Sequence, residues 1–90
     1  MTKVTVFTKN GCPQCDMTKR VLTGEGIEFV AINVEEVQEE KFELNGVVIE
    51  KTPLDYVKED LGFSAMPVVI VEGEEPFTGF RPDKLTEIKK

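Results

Sequence analysis

The stretch Cys12-Pro13-Gln14-Cys15 constrains this chain more than any other. It follows an apolar, β-branched run (Val4-Thr5-Val6-Phe7) and a polar turn, Thr8-Lys9-Asn10-Gly11, and a helical pattern begins at Pro13. Two cysteines therefore stand where a strand hands over to a helix. Unpaired backbone N–H groups and the positive end of the helix dipole favour thiolate over thiol at the first of them. Pro13 suits the first helical position, because its missing N–H would have had no intrahelical partner. Three-residue spacing brings both sulfurs within disulfide reach on one turn. Cys12 is read as the exposed nucleophile and Cys15, more deeply placed, as the resolving thiol.

Other uses of such a pair fit less well. Structural zinc wants four nitrogen or sulfur ligands, and the chain has two cysteines and no histidine. A closed zinc site would need acidic ligands or a second subunit, so no metal is expected. A purely structural disulfide closing so short a loop constrains little of the unfolded chain. It would also be unusual in a reducing cytoplasm, which is the location that two cysteines in this spacing suggest. A redox dithiol is the strong reading.

Ninety residues imply one domain over 1–90, large enough for a modest core without metals or many disulfides. No stretch approaches a membrane span, and Met1-Thr2-Lys3 runs straight into a strand with no signal peptide, so no membrane partner is expected. The net charge of −6 is concentrated in the middle: residues 35–60 carry nine acidic and three basic side chains. A nucleic-acid-binding surface would be basic, so that class is excluded. Apolar residues are interleaved with the charges, as on a solvated face.

In chain order, Lys3 to Phe7 reads as a first strand and Pro13 onward as a helix ended by Gly24-Glu25-Gly26, with Met17, Val21 and Leu22 facing the sheet. Ile27 to Val34 reads as a second, parallel strand covered on both faces, completing a right-handed βαβ unit. Glu35 to Glu40 is acidic and ambiguous between a helical turn and a loop. Lys41-Phe42-Glu43-Leu44 and Val47-Val48-Ile49-Glu50, joined by Asn45-Gly46, carry the strongest short hairpin signal. Thr52 caps a helix begun by Pro53, with Leu54, Val57, Lys58 and Leu61 on one face and Gly62 at its end. Val68 to Val71 is a buried strand. Pro76 to Gly79 is a short edge partner, and Pro82-Asp83 opens a final helix that points Leu85 and Ile88 inward and ends on Lys89-Lys90.

This order resembles the thioredoxin fold: α/β, with a four-stranded mixed sheet flanked by helices and a hairpin-like insertion around 41–51. The small size points to its glutaredoxin branch. Within that branch, Cys12 to Arg20, Gly62-Phe63 with Met66-Pro67-Val68-Val69, and Thr78-Gly79-Phe80-Arg81-Pro82-Asp83 resemble the NrdH-redoxins, glutaredoxin-like proteins with thioredoxin-like activity. The Gly-Phe-Arg-Pro-Asp run is the most specific mark. Departures are Phe77-Thr78 where the family commonly has Trp-Ser, and the long stretch 41–51, to which no family contact can be carried.

The resemblance implies a cis Met66–Pro67 bond beside the dithiol, with the Met66 backbone free to pair with a substrate segment. It implies that Lys9, Pro13, Gln14, Met66, Pro67, Gly79, Phe80 and Arg81 form the substrate and partner surface around catalytic Cys12 and Cys15. Gln14 stands where glutathione-using glutaredoxins usually have tyrosine. Lys9 stands where those proteins also keep a basic residue, and so does not discriminate. The expected activity is dithiol–disulfide exchange without a bound cofactor beyond the Cys12–Cys15 disulfide. Electrons would come from NADPH through thioredoxin reductase, and would pass to the large subunit of class Ib ribonucleotide reductase. A monomer is expected. Three alternatives stay open: a glutathione-dependent glutaredoxin, a dimeric iron–sulfur carrier using Cys12 with glutathione, and an interaction module without redox work.

Overall fold

The computed structural model describes residues 3–88. Strand β1 (Val4–Thr8) lies inside a four-stranded sheet, parallel to β2 (Val30–Asn33) on one side and antiparallel to β5 (Val68–Val71) on the other. A two-residue strand β6 (Phe77–Thr78) closes the far edge, so the order is β2-β1-β5-β6. Strands β3 (Phe42–Leu44) and β4 (Val47–Ile49) pair only with each other, as the separate hairpin expected from Asn45-Gly46. Both turn residues have positive φ, 51° at Asn45 and 85° at Gly46, which is what a two-residue hairpin of this twist requires.

The period-two alternation of β1 and β5 sorts the core onto two faces of the sheet. Val4, Val6, Val69 and Val71 pack with Leu22 and Ile27 and with Leu85 of the short helix α3 (Pro82–Leu85). Phe7 and Val68 pack on the other face with Ile32, Leu44, Val57, Met66 and both cysteines. There Phe7, Phe42 and Tyr56 form a triangle of rings with centroids 5.7–6.2 Å apart. One of them, Phe42, is how the hairpin is fastened to β1; the Thr5 hydroxyl, 3.4 Å from Asn45 Oδ1, adds a polar tie.

Several expectations need correction. Helix α1 runs over Pro13–Gly24 as expected, but its buried stripe is Cys15, Thr18 and Leu22, and Met17 is 39% exposed. Thr18 can be buried because its hydroxyl donates to the Gln14 carbonyl one turn back. The strand expected from Ile27 starts only at Val30, because Ile27 belongs to the helix stop. Gly26 takes φ 71°, and the Ile27 N–H donates back to the Leu22 carbonyl at 2.9 Å. Nor is β2 covered on both faces: it is an edge strand, and Val30 stays 60% exposed.

The second helix, α2, starts as expected, with the Thr52 hydroxyl accepting from the Asp55 N–H and Pro53 at the first position. After Pro53–Asp55 it widens into a π-helical segment, Tyr56–Asp60, whose Leu61 N–H reaches the Tyr56 carbonyl five residues back. Val57 is fully buried, while Lys58, expected on the same face, is exposed. The final helix stops at Leu85, short of the length expected, because Thr86 and Glu87 form a turn; Ile88, beyond it, still packs against the α1/α3 side of the core, and Lys89-Lys90 lie outside the described residues.

Burial of the Tyr56 phenol, reinforced by the Asp60 carboxylate, raises its pKa above the ordinary 10.0. A folded-state value above the unfolded one contributes stability that is complete below the unfolded pKa and is lost as pH rises through the folded one. Lys51, raised mainly by hydrogen bonds to Asp60 and Glu59, acts in the same alkaline window. Tyr56 is the sole tyrosine and there is no tryptophan. Tyrosinate absorbance should therefore give one titration with a midpoint above 10.0. Tyr56→Phe should make the urea midpoint fall less steeply on the alkaline side; a midpoint at or below the ordinary value would refute this placement of the ring.

Candidate active site

Thr8 ends β1 and Pro13 begins α1, so the intervening loop delivers Cys12 as the N-cap residue of the helix. Its sulfur occupies the position an N-cap side chain uses, 3.2 Å from the Cys15 N–H. A backbone donor and the helix dipole thus converge on Cys12 Sγ, the environment that stabilises a thiolate when the pair is reduced. Cys12 and Cys15 are joined in a disulfide, with Cα atoms 5.2 Å apart. Exposure falls in the expected order, but Cys12 is not an exposed residue: it is 8% accessible against 1% for Cys15. The reason is the capping geometry, which turns its sulfur inward toward Cys15 and toward the carbonyl oxygen of Met66, 3.8 Å away.

Met66 comes from the approach to β5, and its bond to Pro67 is cis, as expected. Strand pairing begins only at Val68, which leaves the Met66 backbone outside the ladder. On the next segment the Phe80 N–H donates to Gln14 Oε1 at 3.2 Å, tying the Gly79-Phe80 backbone to the first turn of α1. Gly79 has φ 84°, so the turn that makes this approach suits glycine. Cys12, Gln14, Met66, Pro67, Gly79 and Phe80 are thereby brought into one neighbourhood. Arg81 lies on its exposed rim, and its guanidinium is engaged by Asp83 at 3.2 and 3.3 Å. That contact holds the Asp83 carboxyl below its ordinary range.

Lys9 and Pro13 stand on the other flank of Cys12, in an open cleft of about 390 Å³ that Asn10, Asp16, Lys19 and Asn33 also line. Asp16, whose negative charge beside the dithiol works against a thiolate at Cys12, sits 3.7 Å from Lys19, which answers part of that charge. Sequence reasoning missed how this loop is held. The Asn10 N–H donates to Glu35 Oε1 at 2.6 Å, and Asn33 Nδ2 donates to Asn10 Oδ1 at 3.0 Å. Asn33 Oδ1 in turn accepts from the N–H groups of Glu35 and Glu36. The only signal was Asn33 at a strand end, a residue suited to such a turn. Among the described residues no group of three or more His, Cys, Asp or Glu is placed to hold a metal ion, and no helix is long and apolar enough to cross a membrane.

The family model for glutaredoxins matches residues 4–75. The glutaredoxin-like protein NrdH of Escherichia coli strain K12 is 34% identical over 86 residues, which cover 96% of this chain and 88% of that protein. The chain belongs to the glutaredoxins, in their NrdH-like branch. The NrdH of Lactococcus lactis (strain MG1363) is 36% identical over 85 residues, 94% of this chain and 97% of the relative. The solved NrdH-redoxin from Escherichia coli superposes with a TM-score of 0.72 at 32% identity, covering 98% of this chain and 96% of its own. NrdH-like glutaredoxins are thiol–disulfide oxidoreductases. The linked Cys12 and Cys15 at the head of α1 are a pair of the CxxC type.

Proposed function

We propose that this protein reduces disulfides in other proteins, with Cys12 as nucleophile and Cys15 as resolving thiol. It would be recycled by an NADPH-dependent thioredoxin reductase and serve class Ib ribonucleotide reductase as electron donor. The carrying observation is the capped, linked pair facing the Met66 carbonyl. The Escherichia coli NrdH-redoxin, which has a thioredoxin-like activity profile, supports the choice of reductase.

In the forward direction the Cys12 thiolate attacks one sulfur of a target disulfide, and the other target sulfur leaves as a thiolate. A mixed disulfide now joins Cys12 to the target. The Cys15 sulfur, after losing its proton, attacks Cys12 Sγ and expels the second target thiolate, leaving Cys12–Cys15 oxidised. Two electrons have passed to the target, and the two released thiolates take up protons. The reductase returns two electrons to the disulfide. Lys9, Pro13, Gln14, Met66, Pro67, Gly79, Phe80 and Arg81 form the contact surface in this reading, the Met66 backbone pairing with the target segment in β fashion. The chemistry suits the cytoplasm, where thiols are kept reduced.

The test is NADPH consumption coupled to insulin reduction, run once with thioredoxin reductase and once with glutathione and glutathione reductase. Turnover with thioredoxin reductase alone, absent in Cys12→Ser, is the expected result. Turnover with glutathione alone would place the protein with glutathione-dependent glutaredoxins. Inactivity in both, from a folded and reduced sample, would leave the carrier or binding alternatives.

A further inference from the structure

Thr78 is the last residue of β6, and its hydroxyl reaches the loop that faces the sulfurs. It donates to the Ala65 carbonyl at 2.8 Å, with the Pro67 carbonyl 3.2 Å from the same oxygen. Pro67 has a stronger partner in the Gly79 N–H at 2.9 Å, so the hydroxyl proton belongs to Ala65. The β5–β6 ladder stops at the Val68–Thr78 pair, and a side chain here supplies a bond beyond it.

The consequence lies in the peptide plane. The Ala65 carbonyl and the Met66 N–H belong to one trans peptide unit and point in opposite directions. Pinning that carbonyl toward β6 aims the Met66 N–H away from β6. The carbonyls of Ala65 and Pro67 are both held on the β6 side, and the carbonyl between them, that of Met66, is the one lying 3.8 Å from Cys12 Sγ.

We propose that Thr78 is a positioning residue that fixes the orientation of the Met66 backbone for docking an extended peptide segment beside the Cys12–Cys15 dithiol. The proposal rests on the protein-disulfide reading above. Thr78→Val keeps the β-branched shape but sets a methyl group against two carbonyls. The Ala65 carbonyl then turns out to water and takes the Met66 N–H with it. Thr78→Ser keeps the hydroxyl.

The experiment measures kcat and KM for a disulfide-containing peptide, and the rate with a small aromatic disulfide that has no backbone to pair. Both are run on wild type, Thr78→Val and Thr78→Ser, and the Met66 amide is followed by NMR in each. For Thr78→Val the peptide KM should rise about five- to tenfold, the change one lost hydrogen bond produces. Its kcat and its rate with the small disulfide should stay within about twofold of wild type, since reactivity at the sulfurs is untouched. The Met66 amide signal should shift or broaden, and Thr78→Ser should restore every value. An unchanged peptide KM, or an equal loss on both substrates with the Met66 amide unmoved, overturns the proposal. If wild type reduces no peptide disulfide at all, the protein-disulfide reading has failed. The Met66 amide then decides alone: a shift in Thr78→Val upholds the orienting role, and none overturns it.

Discussion

With Cys15 replaced by serine, the protein should stall on its targets. Cys12 would still attack, because the Cys15 backbone N–H that caps its sulfur at 3.2 Å is unaffected by a change in the side chain. The mixed disulfide would then have no neighbouring thiol to resolve it, since these are the chain's two cysteines. Steady-state turnover should fall by roughly a thousandfold or more, as when one member of a mutually dependent catalytic set is removed. A covalent adduct with the target should accumulate, visible by mass spectrometry and released by added thiol. Cys12→Ser should lose turnover to a similar extent and form no adduct. If the adduct appears with Cys12→Ser and not with Cys15→Ser, the two roles are reversed. That outcome would be hard to reconcile with a Cys15 sulfur enclosed behind Cys12.

The largest effect on stability is expected at Phe7. Its ring is fully buried and meets Phe42 edge-on at 5.9 Å and Tyr56 at 6.2 Å. It therefore joins three pieces of chain that backbone pairing leaves apart: β1, the separate hairpin and the widened helix. Phe7→Ala should cost about 3–5 kcal/mol, the transfer of the ring plus the cavity it leaves. For a domain of ordinary stability, about 5–15 kcal/mol in all, that is a large share. Urea unfolding should show the midpoint falling by the corresponding amount. A loss below about 1 kcal/mol would mean that Phe42 and Tyr56 swing in to refill the space, so that the hairpin is docked more loosely than the ring triangle implies.

Much of this was legible because the informative residues act locally. A proline at a helix start, Asn-Gly between two short apolar runs and cysteines three apart each impose geometry on their own neighbourhood, and Pro13, Asn45-Gly46 and Cys12–Cys15 all did so. Met66-Pro67 was placed by family resemblance, since the cis state is a minority for X–Pro bonds and no local signal selects it. What could not be read depends on distant partners. Whether Ile27 begins a strand or seals a helix turns on one backbone bond to Leu22, and both uses want the same apolar side chain. Exposure of Val30 follows from β2 having a neighbour on one side only, a fact of strand order. The widening of α2 at Tyr56 has no residue signature. Within the site, Asn10 reads from sequence as turn polarity, Asn33 as part of a strand and Glu35 as one of an acidic run, and only the fold brings positions 23 and 25 residues apart together.

The sheet's open margins are all brief. β2 offers four residues and ends at Asn33, whose amide is already spent on its own turn. β6 offers two, and the hairpin strands three each. Margins this short give another chain little to zip onto, which is how native sheets avoid sticking to one another. The unladdered backbone at Met66 differs in a single respect: under the proposed function, a target strand settling there would arrive in front of a sulfur. Adhesion would thereby be rationed to the spot where it ends in a chemical exchange, and the exchange itself would supply the release.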